Sequence, residues 1–137
     1  MNLGIFGSRI LNRYDDYKRI REEILKINDI DLIVTAGEIS GACEHAREIA
    51  RELKIPLLLI FYDINKFHKG AFEKRSKQIV ETGDFFLIFH EGKSKGTLHD
   101  LDIVKKSGKE FKYILMENCV KAKNVDLLDV EFKDLDL

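Results

Sequence analysis

The sequence predicts an α/β protein built on a single Rossmann-like open parallel sheet with helices on both faces. Five apolar segments recur along the 137 residues without polar alternation, which is typical of strands buried on both faces of a parallel sheet. Segments with helical periodicity separate them, and glycine or proline marks most of the boundaries. A chain of this length can bury a core as one domain, and we expect that domain to cover residues 1–118.

The first half of the chain alternates three apolar strands with two amphipathic helices. The strands are predicted at Asn2–Phe6, Asp31–Thr35 and Leu57–Phe61. Tyr14–Ile27 has apolar residues on one helical face and charged residues on the other, and two aspartates suit its first turn, where the helix dipole favours negative charge. Ser40 is the predicted N-cap of the next helix, which runs to about Leu53 and has small alanines on its inner face. Those alanines predict close packing of this helix on the sheet.

The second half repeats the alternation. The remaining strands are predicted at Phe85–Phe89 and Phe111–Met116. A helix is expected from about Ala71 to Glu81, with Phe72 on its inward face and Gly83 as the residue that ends it. The last helix is predicted for Gly96–Lys106, and Gly108 stops it.

The C-terminal segment has a different pattern. Within residues 119–137 the apolar residues Leu128, Val130 and Phe132 alternate with charged ones, which favours a short strand over a helix. We expect this acidic extension to form an edge strand packed on the same domain. A strand that docks a partner is the alternative.

Composition and charge restrict the class of function. The net charge of -1 gives no electrostatic reason to expect binding to nucleic acid or to a membrane surface. No apolar run approaches the ~20 residues that span a bilayer, and the N-terminus leads directly into a strand rather than a targeting peptide. Two cysteines are too few for a disulfide framework. We therefore expect a cytoplasmic, reduced protein.

Three segments that follow predicted strands are rich in glycine and hydroxyl groups. They contain Gly7, Ser8 and Arg9; Gly37, Glu38 and Gly41; and Gly92, Ser94, Gly96 and Thr97. Because ligands of open parallel sheets bind outside the carboxyl ends of the strands, the three segments together favour a binding site, although each alone would fit a tight turn. None of them is a Walker loop or a dinucleotide fingerprint, which disfavours an ATPase or an NAD-dependent enzyme.

The segment Gly92–Thr97 has the features of a phosphate site. It connects a buried strand to a helix N-terminus, where unpaired amides and the helix dipole favour an anion. Lys93 and Lys95 add positive charge, and the hydroxyls of Ser94 and Thr97 can donate to phosphate oxygens. We therefore predict that a ligand phosphate binds here.

The motifs and their order resemble the YspA-type members of the SLOG superfamily. The matching residues are Gly7-Ser8-Arg9, Ala36-Gly37 with Gly41-Ala42, Gly70 with Lys74-Arg75, and Gly92, Ser94, Gly96 and Thr97. The resemblance covers roughly Asn2 to Met116 and implies a Rossmann-like domain that binds nucleotides or ligands derived from them. Two positions depart from the pattern: Cys43 replaces an aspartate and Ser76 replaces an asparagine.

The same superfamily contains the DNA-processing protein DprA and the LOG phosphoribohydrolases. In the segment Gly96–Asp100, the carboxylate of Asp100 stands where the LOG enzymes have a glutamate, and Arg75 stands at the spacing of their catalytic arginine. The resemblance therefore implies catalytic roles for Asp100 and Arg75, and a homodimer. The plainer interpretations are an acidic residue in a helix first turn for Asp100, and a solvated surface charge for Arg75.

These observations lead to two hypotheses about function. The first is a protein that binds a nucleotide-like small molecule as a sensor or by sequestration, without turnover. The second is a nucleoside 5′-monophosphate N-glycosidase or a deoxyribosyltransferase that uses Asp100 and Arg75. The balanced charge argues against DNA binding of the DprA kind. The histidines and cysteines have no metal-ligand spacing, so we expect no metal and no cofactor, and we regard His90 as a possible contact for a base.

Overall fold

The structure is a computed structural model that describes residues 1–62 and 70–116. Its strands are β1 (Asn2–Gly7), β2 (Leu32–Ala36), β3 (Leu57–Ile60), β4 (Phe85–His90) and β5 (Glu110–Leu115). Its helices are α1 (Tyr14–Leu25), α2 (Gly41–Glu52), α3 (Ala71–Thr82) and α4 (Lys95–Ser107). The ends of these elements lie within two residues of those predicted. The predicted strand in the acidic extension, residues 119–137, lies outside the described residues.

The predicted parallel sheet is confirmed, and its strand order places the candidate site. All strand pairs are parallel, in the order β3-β2-β1-β4-β5. After β3 the chain crosses to the other side of the central strand β1, so the strand order reverses between β1 and β4. Open α/β sheets bind ligands outside the carboxyl ends of the strands at such a reversal. In this chain those ends are Gly7 and His90.

Helices cover both faces of the sheet, as the unbroken apolar strands predict. On one face α1 and α2 pack on side chains such as Leu3 and Leu87, and the predicted alanines of α2 are fully buried there. On the other face α3 and α4 pack on Val34 and Phe86. Small residues on α2 leave no bulk between that helix and the sheet, so the helix lies close to β1. Among residues 1–62 and 70–116, no helix is long and apolar enough to cross a membrane.

One predicted core residue lies at the surface. Phe72 is 44% exposed. Ser76 and Val80, one and two turns after Phe72 in the same helical row, are buried. The prediction of Phe72 as a core residue is therefore wrong because of its place along the helix: it lies in the first turn of α3, where it lines the cavity at the carboxyl ends of the strands.

Candidate functional site

A cavity of about 140 Å³ lies at the carboxyl ends of β1 and β4, between the first turns of α3 and α4. Most of the predicted site residues lie on its walls: Gly7, Ser8, Arg9, Glu38, Arg75, Ser94, Gly96, Thr97 and Asp100. They come from segments that are far apart in the sequence and meet because the strands are parallel. Three predicted glycines, Gly37, Gly41 and Gly92, do not line this cavity.

The N-terminus of α2 is closed by the protein's own groups. The Gly41 amide donates to Asn12 Oδ1 over 2.6 Å, and the Ala42 amide donates to the Ser8 carbonyl oxygen over 3.1 Å. Gly41 has a φ of +74°, and a Cβ atom there would lie 2.3 Å from the Ser8 carbonyl oxygen. A Cβ atom on Gly7 would lie equally close to the Ala42 side chain. These glycines therefore bring β1 and α2 into contact, and the two amides are not available to an anion.

Local structure also explains why glycine occupies the other two positions outside the cavity. The Phe61 ring lies against Gly37, where a Cβ atom would come within 2.1 Å of it. Gly92 has a φ of +112°, a backbone conformation that other residues rarely adopt. Gly37 therefore makes room for an aromatic ring, and Gly92 allows the chain to turn after β4.

The Arg75 side chain is buried and lines the cavity, so Arg75 is not a solvated surface charge. Its side chain is only 9% exposed, and Nη1 donates to Glu38 Oε2 over 2.7 Å. The guanidinium carbon lies 5.3 Å from the ring centre of Phe72 and 5.8 Å from that of Tyr62, within the range of cation–π attraction. Its Nε atom has no hydrogen-bond partner among the described residues. A donor therefore remains on this buried cation.

Glu38 lies between two arginines. Besides its bond to Arg75, its Oε1 atom is 4.0 Å from Nη1 of the exposed Arg9. The pair with Arg75 is largely withdrawn from solvent, so its attraction is screened less than that of a surface pair. Glu38 compensates the charge of only one of the two arginines, so this side of the cavity keeps a positive charge.

Asp100 also lines the cavity and lies beyond the first turn of α4. That turn contains no acidic residue, so the interpretation of Asp100 as a first-turn acid is wrong. Asp100 Oδ1 accepts a hydrogen bond of 2.6 Å from Ser76 Oγ. Burial raises the pKa of Asp100 above its usual range, while the Ser76 bond and the Arg75 charge oppose that rise. Serine replaces the expected asparagine at position 76 and supplies the donor to this carboxyl group. A carboxyl group with a perturbed pKa in a cleft is typical of a functional site.

A cluster of hydroxyls connects the ends of β1 and β4. Ser8 Oγ donates to the carboxylate of Glu91, and it also lies 3.1 Å from Thr97 Oγ1. Because a hydroxyl has one proton, Ser8 can then only accept from a further partner. Its position therefore suits a ligand hydroxyl better than a phosphate oxygen.

The N-terminus of α4 is open toward the cavity. The Ser94 side chain caps the helix by accepting from the Thr97 amide over 3.4 Å, as an N-cap residue does. Gly96 lines the cavity, and the nearest atom to a Cβ placed on it, Ser94 Oγ, would be 4.0 Å away. A ligand can therefore approach the backbone at Gly96 closely.

Sequence reasoning missed Glu91, which follows β4 directly. It is buried, its Oε1 atom accepts from Ser8, and its Oε2 atom accepts from the Lys93 amide over 3.2 Å. The available signal was its place at a strand end, where polar residues of a parallel sheet face the ligand side. Its carboxylate adds negative charge beside the predicted phosphate segment.

His90 orders the loop after β4 and does not contact the cavity. Its Nε2 atom lies 3.0 Å from the Ser94 carbonyl oxygen, and its Nδ1 atom lies 2.6 Å from the Tyr113 hydroxyl. A carbonyl oxygen only accepts, so Nε2 carries a proton and donates to Ser94. Because both ring nitrogens are bonded within the protein, the structure does not support the predicted contact between His90 and a base.

Cys43 lines the floor of the cavity as a small buried residue, as expected. Burial is the main cause that raises the pKa of its thiol, against a hydrogen bond with Thr35. A thiol with a raised pKa is a poor nucleophile at neutral pH. Across residues 1–62 and 70–116, no group of three or more histidine, cysteine or acidic side chains could hold a metal ion.

Comparisons with protein-family models, with curated proteins and with solved structures gave no match to this chain. Membership of the SLOG superfamily therefore stays a prediction that rests on the sequence motifs.

Proposed function

We propose that this cavity binds a nucleotide or a nucleotide-derived ligand, and that the protein acts as a sensor or by sequestration. The observation that carries the proposal is the meeting of an open helix N-terminus, a buried guanidinium and a hydroxyl acceptor around one cavity. These are the groups that recognise a phosphate and a ribose. The cavity also lies at the reversal of strand order, where open α/β sheets bind ligands.

The phosphate of the proposed ligand lies at the N-terminus of α4. Gly96 offers an accessible backbone there, and the dipole of a helix of 13 residues favours an anion at this end. Lys95 is the first residue of the helix and adds positive charge. Glu91 keeps the phosphate away from Ser8, because its carboxylate takes the only Ser8 proton.

The ribose of the proposed ligand lies between β1 and Glu38. Ser8 Oγ can accept from one ribose hydroxyl, and the Glu38 carboxylate, which follows β2, can accept from another. An acidic residue near the end of the second strand has this role in many Rossmann folds. Arg75 then has Nε and its remaining donors for the ligand, since its one bond in the described chain is to Glu38.

Titration calorimetry with nucleoside monophosphates, ADP-ribose derivatives and cyclic nucleotides tests this proposal. We expect at least one of these classes to bind, and binding to be lost in Gly96→Glu, which puts a carboxylate at the phosphate position. Gln78→Glu is the matched control, because it adds the same single negative charge at an exposed position of α3 that does not line the cavity. No binding of any class to the wild type would refute the proposal.

A second function is favoured by the placement of Asp100 and Arg75 on the walls of one cavity. We propose as the alternative a hydrolase of the N-glycosidic bond of a nucleoside monophosphate, or a related deoxyribosyltransferase. In hydrolysis, water adds to C1′ of the sugar as the bond to the base breaks, and the base leaves with a proton. Asp100 can stabilise the positive charge that develops on the sugar, and Arg75 can hold the phosphate.

Release of free base from nucleoside monophosphates, followed by chromatography, tests the alternative. The alternative predicts release by the wild type and none by Asp100→Asn or Arg75→Ala. Asp102→Asn is the control, because Asp102 is an exposed aspartate on the same helix and pairs with Lys106. Release that persists in both site variants would exclude these residues from the mechanism.

A homodimer is also proposed, and it is supported by the resemblance to the SLOG superfamily alone. Light scattering at several protein concentrations tests it. We expect twice the mass of 15.9 kDa, and the mass of a single chain throughout would refute it.

A further inference from the structure

Three aromatic side chains form an exposed rim beside the cavity. This aromatic rim consists of Phe61 and Tyr62, which follow β3, and Phe72 in the first turn of α3. Their exposed fractions are 66%, 42% and 44%. Aromatic rings usually bury most of their surface, and a cluster of exposed ones is typical of a binding surface.

The aromatic rim is held in place by the walls of the cavity. The ring centres of Tyr62 and Phe72 are 4.2 Å apart, and the Arg75 guanidinium lies against both rings. Phe61 packs on Gly37, where only a hydrogen atom leaves room for the ring. The rings are thus ordered before any ligand binds, so a planar partner loses little binding energy to their ordering.

The aromatic rim is continuous with the proposed ligand site. Phe72 lines the main cavity together with Arg75 and Glu38. The same Arg75 and Glu38, with Phe61 and Tyr62, also line a second recess of about 60 Å³. When the sugar of a ligand contacts Glu38, the group attached to that sugar can therefore reach the aromatic rim.

We propose that the aromatic rim is the seat of a planar heteroaromatic base, which stacks on the rings of Phe72 and Tyr62. This inference rests on the proposed function, because it places the base of the same nucleotide-derived ligand. Aromatic side chains stack on any nucleobase, since every base has a π-face. The ligand class is therefore a nucleoside phosphate rather than a sugar phosphate.

Titration calorimetry with adenosine 5′-monophosphate and with ribose 5-phosphate separates the base from the rest of the ligand. We expect the monophosphate to bind the wild type more tightly, and Phe72→Leu and Tyr62→Leu each to weaken it by roughly five- to a hundredfold. Both variants should weaken the binding of ribose 5-phosphate less than that of the monophosphate. Tyr14→Leu is the matched control, because Tyr14 is an exposed, stacked tyrosine on α1 that does not line the cavity.

The outcomes distinguish the two proposals. Equal affinity of the wild type for both compounds would overturn the role of the aromatic rim and leave the phosphate and ribose site standing. If Phe72→Leu and Tyr62→Leu lost the same affinity for both compounds, that would also overturn it. The rings would then affect binding only by holding Arg75 in place. No binding of either compound to a wild type that binds another nucleotide class would overturn the role of the aromatic rim alone, and no binding of any class would overturn both proposals.

Discussion

The N-termini of α2 and α4 differ in how their backbone amides are used. Both helices follow a strand of the parallel sheet, and both have a glycine in the first turn. At α2 the amides of Gly41 and Ala42 donate to Asn12 and to the Ser8 carbonyl oxygen. At α4 the backbone at Gly96 faces the cavity. A glycine at a helix N-terminus therefore predicts an anion site only where the protein does not itself supply the acceptors.

The largest difference is expected when the glycine at each helix N-terminus is replaced by alanine. Gly41→Ala should destabilise the fold by about 3 kcal/mol or more, because φ is positive and the new Cβ atom meets backbone. Gly96→Ala should stay within about 0.5 kcal/mol of the wild type, since the position is open and alanine favours helix. Urea denaturation measures both. Equal losses would mean that the two helix ends are packed alike.

A smaller effect is expected from removing the buried carboxylate between β4 and α4. Glu91→Ala should cost about 2 kcal/mol, because it leaves the Ser8 hydroxyl and the Lys93 amide without their acceptor. Glu81→Ala, on an exposed position of α3, is the control and should change stability by less than about 0.5 kcal/mol. Thermal unfolding of both variants compares them. A loss no greater than that of the control would show that water replaces the carboxylate.

The smallest effect concerns Asp100 and depends on pH. Its pKa is raised in the folded state, so between the unfolded pKa of about 3.9 and the folded pKa the native protein binds more protons. Stability contributed by this group is therefore full below that window and falls as pH rises through it. Asp100→Asn keeps an acceptor for Ser76 and has no charge to bury. We expect its stability relative to wild type to increase from pH 4 upward in urea titrations, and a constant difference would contradict the raised pKa.

Most of the fold was predictable because its signals are local. Continuous apolar runs such as Phe85–Phe89 identify strands that are buried on both faces, and the ends of helices follow from residues such as Ser94 and Gly108. The prediction failed for Phe72 because helical periodicity identifies the buried row but not where along the helix the sheet ends, and Phe72 lies in the turn that lines the cavity.

The candidate site was predictable in part, because strand ends of a parallel sheet lie together wherever they are in the sequence. That rule predicts a common site for residues as distant in the sequence as Ser8 and Asp100, and both line one cavity. It did not reveal that Arg75 pairs with Glu38, or that Glu91 binds Ser8 across 83 positions of sequence. Those pairs depend on which side chains lie closest in three dimensions, and the positions of charged residues in the sequence do not determine this.

The central position of β1 also sets how long the part of the cavity formed by Ser8 persists. The Ser8 amide donates to the Phe89 carbonyl oxygen, and β1 has hydrogen-bonded neighbours on both sides. Amides in a central strand exchange with solvent deuterium mainly when the whole domain opens. The Ser8 amide should therefore show a protection that corresponds to the free energy of global unfolding, while amides of the edge strand β5 exchange sooner. The part of the cavity that Ser8 forms then persists for as long as the domain stays folded.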